Sequence, residues 1–208
     1  MKKLIKYSGF SVIAGGVFLI ITNAILTPFM NLGDPIAEVA KTSIFFYRMS
    51  FAAITVSLLL FGTIGLHLNQ IKNSNNFGNI AFLLAFFGSA FLLSNEWYQI
   101  FVLPELAKNS PDALMSLDSS EGLSNYDIGA MIAILTFSIG WILFSISMLK
   151  AKVYSRLGPI LIISGFFITP IFSSFLSPVW ASAIGNSVMG FAFCLLGREI
   201  LLFKNKPE

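Results

Sequence analysis

Long apolar stretches alternate with short polar ones along this chain, and the uncharged gaps recur at similar lengths. Lys6 to Asp34 encloses 27 uncharged residues, Arg48 to Lys72 and Lys72 to Glu96 enclose 23 each, and Asp127 to Lys150 encloses 22. A helix rises about 1.5 Å per residue, so roughly 20 apolar residues cross a hydrocarbon core of about 30 Å. Each gap therefore suits one crossing. The gap from Arg156 to Arg198 holds 41 residues. As one helix it would reach about 60 Å, twice the core thickness. It has to turn, and Ser177-Pro178 near its middle supplies the break. The pattern predicts six helices, over residues 8–28, 44–67, 78–100, 127–149, 157–176 and 180–203. Membrane strands would need alternating polar and apolar residues, and FLLAFFGSAFLL does not alternate. The expected fold class is all-α, an integral membrane helical bundle forming one transmembrane domain over residues 1–208.

Composition strengthens the membrane reading. Hydrophobic residues make up 56% of the chain and charged residues 11%, with a mean hydropathy of +0.81. Soluble domains carry about 25% charged residues. The N-terminal MKK invites a signal-peptide reading, but the apolar run from Phe10 to Met30 outlasts a signal h-region of about 7–15 residues. An uncleaved first span is expected.

Orientation follows from Lys and Arg. With the N-terminus inside, ten fall on the cytoplasmic side: Lys2, Lys3, Lys6, Lys72, Lys150, Lys152, Arg156, Arg198, Lys204 and Lys206. The outer loops carry two, Lys41 and Lys108, and Arg48 lies at the outer end of the second span. This bias fits both termini in the cytoplasm, and an odd number of spans would break it. The one long loop, residues 101–126, is then extracytoplasmic. Within it Ser110-Pro111-Asp112 reads as a helix start, with Ala113, Leu114 and Leu117 on one face. That short helix is either a lid over an outer cavity or a surface segment resting on the bilayer.

Several chemistries drop out. The single Cys194 and single His67 supply no disulfide, zinc set or bis-histidine haem site. His67, at the inner end of its span, reads as an interfacial residue. No lysine lies at membrane depth, no phosphate-binding GxxxxGKS loop occurs, and Arg48 stands alone where a voltage sensor needs a ladder of Arg. No catalytic residue, metal or cofactor is implied, and the net charge of +3 gives no nucleic-acid signal. Helix contacts are expected through small residues: Ala81, Ala85 and Ser89 in the third span, Gly129 with Ala133 in the fourth, and Ala181 with Gly185 and Ala183 with Ser187 in the sixth.

The remaining clue is polarity confined to the outer half. Asn23, Arg48, Glu96 and Asn186 come from four spans and fall at similar depth. One reading is snorkelling at the interface beside an aromatic belt of Tyr47, Trp97, Tyr98, Tyr126 and Trp180. The other is an outward-facing polar pocket in which Arg48 and Glu96 pair, because a charge facing lipid is costly.

The stretch GWILFSISMLKAKVYSRLGPILIISG, residues 140–165, resembles a pattern in small uncharacterised bacterial multi-pass membrane proteins: a Gly-Trp helix, a Lys-x-Lys loop and a Gly-rich apolar helix. The loop phrase LPELAKNSPDAL is similar to part of the same pattern. The resemblance implies a bacterial plasma membrane protein and no reaction. The expected function is a non-enzymatic binder of a lipid or small amphiphile, or an accessory membrane subunit. The alternatives are a small transporter using Glu96 and an intramembrane lipid-modifying enzyme. Expected partners are membrane lipids, a small amphiphilic ligand, and a second copy or another membrane protein.

Overall fold

The computed structural model describes residues 2–118 and 124–203. The described residues are 88% helical, and no strand occurs among them. Helix α1 spans Lys2–Ile20 and runs on through a π-helical turn, Ile21–Leu26, and a 3-10 turn, Thr27–Phe29. The short α2, Ile36–Val39, leads into α3, Ser43–Gln70, and α4 follows over Asn76–Phe101. Two short helices come next, α5 Leu103–Asn109 and α6 Pro111–Asp118. The chain ends with α7 Asn125–Ala151, α8 Leu157–Phe172 and α9 Pro178–Phe203.

Local signals explain these boundaries. Thr42 caps α3 by accepting from Phe45 N at 3.3 Å, and Asn75 caps α4 through Gly78 N at 3.2 Å. Ser124 and Asp127 form a reciprocal capping box at the start of α7. Pro178 opens α9 and Pro111 opens α6, as the sequence predicts. The end of α1 is less regular. Thr22 donates to Phe18 O at 2.8 Å and Asn23 to Leu19 O at 3.0 Å, so both compete with the backbone for its acceptors. Pro28 has no N–H to donate. The Thr22 carbonyl instead accepts from the backbone N–H of Thr27 and from its Oγ1, the latter at 2.9 Å.

Among the described residues five helical segments are long and apolar enough to cross a membrane: 3–29, 43–73, 76–109, 125–151 and 178–202. The fifth expected span, 157–176, ends early. Helix α8 stops at Phe172 after 16 residues, about 24 Å. Pro170 does not break it, but residues 173–177 form a turn before Pro178.

The six longer helices pack as a ring in the order α1, α3, α4, α7, α8, α9, with α9 returning to α1. The α7–α8 seam is the thinnest. The main core draws on all six, with Trp141 and Phe144 of α7 fully enclosed among Leu59, Leu66, Ala85, Ile162 and Phe193. Trp141 donates its indole N–H to Ser89 Oγ at 3.2 Å, so its one polar atom is satisfied. A second core lies at the end of the bundle carrying α2, α5 and α6, where Phe45, Met49 and Ile100 pack under Ala37, Leu103, Ala107 and Leu114.

Backbone approaches backbone most closely in two of the seams. A Cβ on Gly140 would lie 2.5 Å from Leu84 C and Ala85 N, and one on Gly88 would lie 2.5 Å from Phe137 Cα. Helices α4 and α7 thus touch where only glycine fits. Likewise a Cβ on Gly190 would lie 2.6 Å from Gly16 O, and one on Gly197 2.6 Å from Gly9 O. The expected stripe Ala81, Ala85, Ser89 is buried in its seam. Gly129 departs from expectation: nothing lies within 4 Å of a Cβ placed there, and Gly140 is the glycine that carries the contact.

Candidate functional site

Helices α3 and α4 run antiparallel, so the start of one and the end of the other share the capped end of the bundle. This brings Arg48 and Glu96 together, with Arg48 Nη1 3.9 Å from Glu96 Oε2. The side chains are 21% and 9% exposed, respectively. Arg48 also donates from Nε to Thr27 Oγ1 at 3.4 Å, and its Nη1 lies 3.1 Å from Met49 Sδ. Thr27 is in reach because α1 continues through its irregular turns. Glu96 Oε2 is buried and makes no hydrogen bond. The pair is held by charge at the outer limit of contact.

Asn23 and Asn186 do not join this pair. Asn23 donates within its own helix to Leu19 O, and Asn186 donates to Ser182 O at 2.9 Å and to Ser182 Oγ at 3.0 Å. The antiparallel register of α1 and α9, set where Gly9 meets Gly197 and Gly16 meets Gly190, places Asn23 near Ala183. That is within about one helical turn of Asn186. No hydrogen bond links either asparagine to the other, to Arg48 or to Glu96. Each instead satisfies its amide with a carbonyl one turn back.

The open space lies elsewhere, between α4 and α7. Beyond the Gly88–Gly140 crossing these helices part toward the capped end. A cleft of about 330 Å³ opens there, lined by Phe91, Ser94, Asn95 and Tyr98 from α4 and by Asn125, Tyr126, Gly129, Ala130, Ile132 and Ala133 from α7. Gly129 borders it, which is why a Cβ there meets nothing. A smaller cavity of about 110 Å³ adjoins it beneath α2, α5 and α6, bounded by Ile36, Gln99, Leu103, Leu114, Ser124 and Asp127. Tyr98 and Tyr126 line both cavities, and their ring centroids lie 5.1 Å apart. The sequence places these tyrosines in an interfacial belt. Their common cavity shows only when α4 and α7 are laid side by side, with 91, 95 and 98 facing 126, 130 and 133.

In the 101–126 loop, Leu114 is buried against the cap while Ala113 is exposed. The side chain of Leu117, expected on the same face, lies outside the described residues.

A polar cluster at the opposite end was not foreseen. His67 is buried with its ring stacked on Phe82 at 4.1 Å between centroids, where the sequence suggests an interfacial residue. Gln70 is fully buried, and its Nε2 lies 3.5 Å from Ser147 Oγ. His67 Nδ1, Gln70 Oε1, Ser74 Oγ and Ser145 Oγ are buried without hydrogen-bond partners. Beside them Tyr154 OH donates to Leu66 O at 2.8 Å, and burial pushes its pKa up. The spans read as nearly apolar here because small hydroxyls are inconspicuous one helix at a time.

No family model, curated protein or solved structure matches the chain. Function has to be argued from the geometry alone.

Proposed function

We propose that the chain is an integral membrane protein that binds a lipid or small amphiphile in the α4–α7 cleft and catalyses no reaction. One observation carries this reading. The cleft joins an apolar flank of Phe91, Ile132 and Ala133 to a polar end formed by Asn95, Asn125, Tyr98 and Tyr126. An apolar trough with a few polar groups at one end suits a molecule with a tail and a head, and about 330 Å³ falls in the range of small-molecule sites. The cleft is bounded by α4 and α7 alone and is open at the side, so a bilayer lipid can reach it laterally.

The same proposal includes six crossings in one transmembrane domain, both termini in the cytoplasm and residence in a bacterial plasma membrane. The Lys/Arg bias supports the orientation. The seating of α8 between α7 and α9 supports counting it as a crossing. Arg48 and Glu96 are proposed as a buried pair behind the cleft, with Asn23 and Asn186 lining the neighbouring outer-half helices.

The test uses a variant that the fold tolerates. Gly129 borders the cleft in open space, so Gly129→Phe fills it without a backbone clash. Native mass spectrometry of the purified protein should show a retained lipid-sized adduct in the wild type and none in Gly129→Phe, with unchanged melting temperature. An adduct retained equally by both would place binding elsewhere. Substrate flux in proteoliposomes, abolished by Glu96→Gln, would favour transport instead.

A further inference from the structure

The two adjoining cavities differ in character, and the difference bears on the ligand's headgroup. We propose that the amphiphile taken by this cleft carries a cationic ammonium headgroup, seated in the smaller cavity that Tyr98, Tyr126 and Asp127 border; this rests on the amphiphile reading above. The larger cavity, flanked by Phe91, Ile132 and Ala133, accommodates the chain. The smaller, at about 110 Å³, has room for about three or four waters' volume, which suits a compact headgroup.

Charge selects among headgroups. Among the described residues no lysine or arginine lines either cavity. Residues 119–123 between α6 and α7, SSEGL, carry no cation in their sequence either. Among the described residues, Asp127 is the one charged side chain that lines either cavity. Glu96 lies two residues before Tyr98 on α4, paired with Arg48. Arg48 lines neither cavity and is engaged by Glu96, Thr27 and Met49. A phosphate or sulfate headgroup would meet a carboxylate with no basic partner, the opposite of the usual anion site.

The N-terminus of α7 would attract an anion, but its capping box already places the Asp127 carboxylate there. Asp127 N donates to Ser124 Oγ at 3.2 Å, and Ser124 N donates to Asp127 Oδ2 at 2.9 Å. The aromatic groups point the same way as the charges. Tyr98 and Tyr126 meet at the junction of the cavities, tilted by 35°. Ring faces attract an ammonium through their quadrupole, and a carboxylate beside them adds to that attraction.

The experiment compares decyl probes differing only in headgroup: decyltrimethylammonium, decanol and decyl phosphate. Equilibrium binding is measured to the full chain held in amphipol. The ammonium probe should bind at least about tenfold more tightly than decanol, and decyl phosphate more weakly than decanol. Asp127→Asn keeps an oxygen acceptor for Ser124 and should reduce the ammonium-to-alcohol ratio about fivefold or more. Its melting temperature reports on folding separately. Gly129→Phe should abolish binding of all three probes. Equal binding of ammonium and alcohol, or a preference unchanged in Asp127→Asn, overturns the headgroup assignment while leaving the cleft intact. Failure of every probe to bind, or binding unaffected by Gly129→Phe, overturns the amphiphile reading itself.

Discussion

Removing the charge of Glu96 isolates the energetics of the buried pair. Coulomb's law at the observed 3.9 Å, with an effective dielectric of about 20, gives about 4 kcal/mol. Two features reduce that figure. The contact includes no hydrogen bond from Glu96 Oε2, and the Arg48 side chain keeps 21% of its surface exposed. A coupling of about 2 kcal/mol is the expectation, below the 3–5 kcal/mol cost of breaking a fully desolvated pair. For a chain of this size 1 kcal/mol moves the melting temperature by about 2–4 °C, so Glu96→Gln should melt about 4–8 °C lower. The double variant Glu96→Gln with Arg48→Met removes both charges and should recover part of that loss, because no guanidinium is left without its carboxylate. The assay is thermal unfolding in detergent of the wild type, both single variants and the double. Neutral single variants, or effects that add to within about 0.5 kcal/mol, would refute the pairing and leave two independent interfacial charges.

Gly140→Val should be among the most damaging single changes in the bundle. Its Cβ would meet backbone atoms of Leu84 and Ala85 at 2.5 Å, which no rotamer change relieves, so a loss of about 3 kcal/mol or more is expected on thermal unfolding, against no loss for Gly129→Ala. Tyr154 should make the fold sensitive to alkali. Its hydroxyl is held neutral by burial above the ordinary 10, so above that pH the unfolded chain ionises first and binds fewer protons. Stability is therefore intact below pH 10 and falls as pH rises beyond it; Tyr154→Phe should flatten that alkaline decline while costing about 1 kcal/mol at neutral pH through the lost hydrogen bond to the Leu66 carbonyl.

Much of the architecture is local and was legible in one dimension. The uncharged gaps bound the helices because a charge is costly in an apolar layer and cheap at its edge. Thr42, Asn75, Ser124 and the prolines at 111 and 178 then act within one turn of themselves, so they mark helix starts without knowledge of neighbours. Depth along a span is also local arithmetic, which is why Arg48 and Glu96 could be set at one level before their contact was known. What depth cannot supply is azimuth. Asn23 and Asn186 share that level, yet each bonds to its own helix, because an amide within reach of a carbonyl one turn back needs no partner across the bundle. The glycines show the same limit. Gly129 and Gly140 look alike in an apolar run, and only the crossing of α4 over α7 decides that one is pressed against backbone and the other borders a cleft. The fate of α8 and the buried cluster around Gln70 were likewise decided by packing. A helix end or a polar side chain is satisfied or stranded by what faces it, and what faces it comes from residues distant in the chain.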